Sequence, residues 1–526
     1  MDLAKSNSVT KTPSLLGSDL VRLIIAVAFV VATGFYASMN GESISNVSIL
    51  AIAAAIGAYM ALNIGANDVA NNVGPAVGSQ ALSMTGAILI AAIFEASGAL
   101  IAGGSVVSTI KKGIINPNAI ADSATFIWVM MAALLAGATW LNLATYLGAP
   151  VSTTHSIVGG VLGAGIAAGG WDIANWGQMS MIAASWVISP VLGGLIAASF
   201  LIYIKRSVTY QNDMIAAARK VVPLLVALMV WAFSTYLIMK GLKKIWKTDI
   251  VTAAMLGFAI ATAAYLFVRP IVAKASASLK NHKDSVNSLF TIPLIISAAL
   301  LSFAHGANDV ANAIGPLAAI NDALVSGDIS SKASIPLWIM LVGGIGIAFG
   351  LALYGPKLIR TVGSEITELD KTRAFCIAMA AAITVIIASQ LGLPVSSTHI
   401  AVGGIFGVGF LREYLKLSYA KKLEEIIEHS EDAGHDKAET DIFIERFEAA
   451  DVEGKRDILR ELKQLRGESP ISKKERKGLK KATKQELVKR SALFKIAAAW
   501  IITVPASGFL AAILFYMLVG FNQING

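Results

Sequence analysis

Two stretches of the chain set carboxylates and amides among hydrocarbon: ALNIGANDVANNVGPAVGSQ at 61–80 and SFAHGANDVANAIGPLAA at 302–319. Their shared core, GANDVAN, places Asn67, Asp68 and Asn71 in the same frame as Asn308, Asp309 and Asn312. Carboxylate, amide and backbone oxygens are the ligands a hard cation prefers. A lone carboxylate at membrane depth is costly unless it is paired, solvated or holding an ion, so two in matching frames point to ion chemistry. A second pair of stretches, GAPVSTTHSIVGGVLGAG from Gly148 and GLPVSSTHIAVGGIFGVG from Gly392, follows the first pair at nearly constant separation. Ser152, Thr153 and Thr154, like Ser396, Ser397 and Thr398, suit helix starts: their hydroxyls cap while unpaired amides face an anion. Gln80 lies just past the first motif, where its amide can donate to an anion or serve only in packing.

Other polar residues have competing readings. Glu95, within AAIFEASGALIAGG, can complete a cation site, exchange a proton, or pair with a basic residue across the core. The corresponding stretch of the second half, GIGIAFGLALYGPK, has no glutamate, so a third cation site at Glu95 breaks the repeat symmetry. His155 and His399 follow the hydroxyls in matching contexts, where a histidine either senses pH or fixes the neighbouring helix start. His305 precedes the second GAND, while Ile64 stands at its position in the first. The remaining His282, His429 and His435 fall in polar connections, and no metal cluster built on histidine is expected.

These residues need elements that hold them in a bilayer. The 526 residues are 55% hydrophobic and only 15% charged, with net charge +9, and the mean hydropathy is +0.67. That composition indicates an all-α polytopic membrane protein rather than a soluble chain or a barrel of alternating strands. Hydropathy marks spans that include 47–66 and 288–305, each stopping near a GANDVAN motif. The stretches 151–170 and 396–411, glycine-rich and preceded by proline, read as arms of re-entrant hairpins. The chain divides into a polar segment at 1–18, a first transmembrane repeat region at 19–220, central helices and a linker at 221–287, and a second repeat region at 288–411. A charged helical connector follows at 412–490, then a final transmembrane helix with the C-terminus at 491–526. The connector ends in ISKKERKGLKKATKQELVKR, whose charge favours the cytoplasmic side. The segment 1–18 has no hydrophobic core and does not read as a cleaved leader. The lone cysteine, Cys376, excludes an intrachain disulfide and reads as a small buried residue. No P-loop is present, which agrees with secondary transport rather than an ATP-driven pump or an enzyme. Basic charge beside a membrane needs no nucleic acid to explain it.

The motifs GANDVANN, IFEASGA, PVSTTHS, GANDVANA and PVSSTH, in that order over roughly 47–411, resemble the inorganic phosphate transporter family of sodium- or proton-coupled symporters. The resemblance implies an inverted repeat with broken helices, a central phosphate site, and cation-coupled uptake through a multi-pass protein of the plasma (inner) membrane. It implies phosphate contacts at Ser152, Thr153, Thr154, Ser396, Ser397, Thr398, Asn71 and Asn312, to which Gln80 is added as a candidate from its own position. Cation contacts are expected at Asn67, Asp68, Glu95, Asn308 and Asp309. The GANDVAN form is more similar to the sodium-coupled branch, so sodium is the expected co-transported ion and no further cofactor is expected. Proton coupling, sulfate as the anion, and a receptor or scaffold acting through 412–490 stay open, as does a homodimer.

Overall fold

Backbone amides inside a bilayer must be satisfied within their own segment, which leaves the helix as the spanning element for runs of Ala, Leu, Ile and Val. The computed structural model describes residues 19–40, 46–149, 151–241, 248–327, 335–364, 369–431 and 490–525. Among these it contains helices and one isolated bridge, between Ile115 and Ala174. Eleven helical stretches are long and apolar enough to cross a membrane.

The first half runs through α1 (Asp19–Met39), α2 (Val47–Asn67), α3 (Val69–Gly78), α4 (Met84–Ala102), α5 (Gly104–Lys112), α6 (Ser123–Leu147) and α7 (Thr153–Gly169). Next come α8 (Trp176–Ile204), α9 (Met214–Lys240), α10 (Ile250–Ala275) and the short α11 (Lys283–Leu289). The second half comprises α12 (Thr291–Ser326), α13 (Leu337–Ser364), α14 (Lys371–Gln390) and α15 (Ser397–Glu431), and the last helix is α16 (Arg490–Asn525). The connector expected at 412–490 lies outside the described residues beyond Glu431.

The expected inverted repeat follows from the chain path. Asn116 N–H donates to Ile173 O at 2.8 Å and Asn175 N–H to Ile114 O at 3.0 Å, so the α6–α7 unit leaves and returns at one face. The single crossings α8, α9, α10, α12 and α13 then intervene. An odd number of crossings puts the start of α14 at the opposite face. Lys205, at the far end of α8, lies within electrostatic reach of Arg373 in α14 and Arg412 in α15. The α14–α15 unit therefore also returns to the face it left.

Both hairpins turn in the same way. Gly148 and Gly392 have φ of 72° and 68°, a conformation that costs glycine little. In one turn Gly148 N–H bonds to Thr145 O and Ala149 N–H to Ala144 O; in the other Gly392 N–H bonds to Ser389 O and Leu393 N–H to Ala388 O. The residues that lead into α7 and α15, Ser152 and Ser396 among them, are buried, so both helices start deep in the protein.

Two helix crossings clamp the motif helices. A Cβ at Gly306 of α12 would overlap the Glu95 backbone of α4, and one at Gly98 would overlap Phe303 O. In the second crossing Gly65 of α2 meets Ile347 O of α13 in the same way, and Gly350 meets Leu62 O. Backbone-to-backbone approach of this kind is how helices associate where no hydrophobic effect drives them together. The glycine pairs after the hydroxyl motifs also pack closely, Gly159 on Val504 O of α16 and Gly403 on Pro190 O of α8. Cys376 is fully buried in α14.

One sequence expectation needs correction. The spans read at 47–66 and 288–305 do not end at the polar motifs: α2 and α3 carry the chain to Gly78 with a break at Asp68, and α12 continues unbroken to Ser326. Pro75 and Pro316 lie inside α3 and α12 and do not end them. Hydropathy loses the helices because their polar residues are buried within the protein instead of facing lipid.

Candidate functional site

The two GANDVAN segments meet the two hydroxyl segments at the buried centre. Asp68, 1% exposed, and Asp309, fully buried, stand at its middle. Asp68 sits at the junction of α2 and α3, where its N–H still bonds to Ile64 O at 2.9 Å, so the helix breaks with little change of direction.

The Asp68 carboxylate accepts one hydroxyl from each hairpin, Thr153 at 2.6 Å and Thr398 at 2.9 Å. Asp309 accepts the Ser397 hydroxyl at 2.9 Å. Asn71 donates to Thr398 Oγ1 at 2.8 Å, while Asn312 donates to Thr153 and Thr154 Oγ1 at 3.1 and 3.2 Å. Each of these asparagines thus reaches the hairpin of the opposite repeat. Asn67 and Asn308 instead hold the turn of their own hairpin: Asn67 donates to Thr145 Oγ1 and Ala149 O, and Asn308 to Ser389 Oγ and Leu393 O. Ser152 and Ser396 cap α7 and α15 by accepting from the His155 and His399 N–H groups at 3.1 and 3.2 Å.

Several oxygens at this centre are buried with no hydrogen-bond donor in the protein: Asp309 Oδ1 and the side-chain oxygens of Asn71, Asn308 and Asn312. Buried acceptors are nearly always satisfied, and a cluster of unpaired oxygens fits a hard cation. The Asn67 oxygen differs, since it already accepts the Val151 N–H at 3.2 Å.

Glu95 joins the cluster from α4. Its carboxylate accepts Asn72 Nδ2 at 2.7 Å and lies 2.6 Å from His305 Nδ1. His305 Nε2 stands 2.8 Å from Asp309 Oδ2, a close contact without hydrogen-bond alignment. Asp68, His305 and Asp309 each offer a ligand atom within 4.8 Å of the others. Three buried carboxylates therefore converge on a single imidazole. The buried lysine among the described residues, Lys111, pairs with Asp322 near the ends of α5 and α12. Among the described residues no lysine or arginine pairs with these three carboxyl groups.

Comparison with known proteins gives the same reading. A family model described as the phosphate transporter family matches residues 64–511. The chain belongs to that family. A protein of Helicobacter pylori strain J99 named "Putative phosphate permease" is 52% identical to the transporter over 526 residues, covering 98% of this chain and 99% of its own. A protein of the same name from Thermococcus kodakarensis is 40% identical over 367 residues, covering 69% of this chain and 89% of its own. A solved structure described as the sodium-dependent phosphate transporter superposes with a TM-score of 0.73 at 32% identity, covering 90% of this chain and 99% of that one. The transporter is a multi-pass integral membrane protein and not an enzyme.

Of the residues singled out in the sequence, the transporter gathers Asp68, Asp309, Glu95, Asn71, Asn312, Thr153, Thr154, Ser397 and Thr398 into one network. Asn67, Asn308, Ser152 and Ser396 shape the backbone around it. Gln80 lies elsewhere, exposed in the turn after α3 with a φ of 61°. The residue to which sequence reasoning gave no role is His305, which the structure sets beside Glu95 and Asp309 in a group that could hold an ion. Its signal was the asymmetry with Ile64. The glycine crossings show the logic, because Gly65 meets Ile347 where Gly306 meets Glu95. The polar pair Glu95–His305 of one crossing thus corresponds to Ile347 and Ile64 in the other.

Proposed function

We propose that the transporter is a sodium-coupled symporter of inorganic phosphate that exposes its buried centre alternately to the two sides of the membrane. The convergence of three buried carboxyl groups, Asp68, Asp309 and Glu95, on one imidazole carries this reading. An oxyanion is repelled by these carboxylates unless cations or protons accompany it. Sodium, taken as cargo, suits the unpaired oxygens of Asp309, Asn308, Asn312 and Asn71. Phosphate suits the hydroxyls of Thr153, Thr154, Ser397 and Thr398 and the free amides at the starts of α7 and α15, two helix N-termini arriving from opposite faces. With no lysine or arginine among the described residues paired at the site, phosphate binds only while the cations are present and is released when they leave.

A second reading has its own observation. His305 bridges Glu95 and Asp309, so a proton can take the place of one cation. Coupling by either ion makes phosphate affinity depend on that ion, because linkage between two ligands is reciprocal. Equilibrium phosphate binding to purified protein is expected to tighten at least about tenfold, or about 1.4 kcal/mol, when sodium replaces potassium. Affinity that follows pH and ignores sodium selects the proton instead, and affinity indifferent to both removes the coupling.

The face at which α14 and α15 enter carries Lys205, Arg206, Lys280 and Lys283, and the basic end of 412–490 precedes α16. The positive-inside bias makes that face cytoplasmic. The α6–α7 hairpin then enters from outside, so one hairpin belongs to each side of the site.

A further inference from the structure

Beside the phosphate hydroxyls runs a column of four rings that neither ion binding nor phosphate binding uses. His155 and His399 are the third residues of α7 and α15, 4% and 1% exposed. Their ring centroids are 4.4 Å apart, edge to face. Trp186 of α8 covers His155 at 3.9 Å, and Trp500 of α16 stacks on His399 at 3.6 Å with planes 28° apart. None of the four imidazole nitrogens makes a hydrogen bond, although the Trp500 carbonyl lies beside the His155 ring.

The helices that supply the tryptophans cross over. α8 lies along α15, with Pro190 and Gly194 against Gly403 and Gly407, yet its Trp186 covers the histidine of α7. α16 lies along α7, with Val504 and Gly508 against Gly159 and Gly163, yet its Trp500 covers the histidine of α15. Trp186 Nε1 also donates to Pro394 O at 3.2 Å, in the extended stretch that leads into α15. Each outer helix therefore grips both helix starts. Because Thr153, Thr154, Ser397 and Thr398 immediately precede the two histidines, the ring separation sets the spacing between the two hydroxyl groups.

We infer that His155 and His399 are positioning residues whose rings, stacked between Trp186 and Trp500, hold the starts of α7 and α15 at the separation phosphate requires. Their nitrogens contact neither phosphate nor cation. Close packing is sensitive to lost volume, so an opened gap lets the starts drift. The inference rests on the phosphate reading above.

The test is phosphate uptake in proteoliposomes at saturating sodium, with KM and maximal rate determined for the full chain and its variants. His155→Phe and His399→Phe keep the ring and lose the nitrogens; their KM is expected within about threefold of the parent. His155→Ala and His399→Ala are expected to raise KM at least about tenfold, or about 1.4 kcal/mol. The double alanine variant should be scarcely worse than either single one, because one column is broken once. Where an alanine variant is not monodisperse, His155→Gln or His399→Gln removes the ring and carries the same expectation. Phenylalanine variants as damaged as the alanine variants would overturn the inference in favour of a role for the nitrogens. Alanine and glutamine variants within twofold of the parent, or losses that multiply in the double variant, would overturn it as well. A parent protein that takes up no phosphate rejects the phosphate reading itself, whereas an active parent with the wrong variant pattern rejects only the column.

Discussion

At the scale of single residues, Asp68 and Asp309 occupy equivalent places in the two repeats but have different surroundings. Asp68 is shared by the two hairpins through Thr153 and Thr398; Asp309 has one hydroxyl, Ser397, and the imidazole of His305. Asp68→Asn and Asp309→Asn are expected to raise the sodium concentration for half-maximal uptake at least about tenfold, or about 1.4 kcal/mol, with the yield of folded protein retained. Sodium titration of uptake measures this, and two variants with unchanged titrations contradict the cation role. Thr153→Ala and Ser397→Ala each leave a buried carboxyl oxygen short of a donor, which costs about 1–3 kcal/mol for a neutral acceptor and more for a charged one. The expected readout is weaker equilibrium phosphate binding in protein whose melting temperature shows that it is folded. The acids were legible in the sequence because a carboxylate in hydrocarbon is expensive wherever it stands. His305 was not, since its significance comes from Glu95, a residue on another helix far away in the chain.

At the scale of elements, the repeat shows in sequence as paired motifs and in space as paired crossings. Gly306 is expected to reject a side chain because its Cβ would meet backbone, whereas Gly104 has open space around it. Gly306→Val should fail to give a monodisperse protein, and Gly104→Ala should melt within a few degrees of the parent; equal behaviour would remove the crossing from the account. The pair Lys111–Asp322 makes a second test of the elements, as it joins the end of α5 to α12. Asp322→Asn leaves a buried ammonium without its carboxylate, a change worth about 3–5 kcal/mol. Thermal melting should show a clear loss, and an unchanged melting temperature contradicts the burial of the pair. The hairpins were readable from their proline, hydroxyl and glycine patterns. The reach of α3 and α12 past their motifs was not, because polarity that faces protein looks the same in sequence as polarity that ends a span. Nor could the sequence show that Trp186 and Trp500 exchange partners, since that depends on how α8 and α16 cross the hairpins.

At the scale of the whole molecule, two hairpins enter from opposite faces and their helix starts meet at one centre where three carboxyl groups surround one imidazole. On the proposed reading, either hairpin releases the centre to its own side, with cations and phosphate bound or lost together. Phosphate transport follows from the family, and coupling to a cation is the proposal that the three clustered carboxyl groups support. The most direct test is phosphate uptake by proteoliposomes under sodium and proton gradients imposed independently. An inward sodium gradient is expected to drive phosphate accumulation with no proton gradient present, and collapsing the sodium gradient should abolish it. Accumulation that persists without a sodium gradient, or follows the proton gradient alone, would contradict sodium coupling.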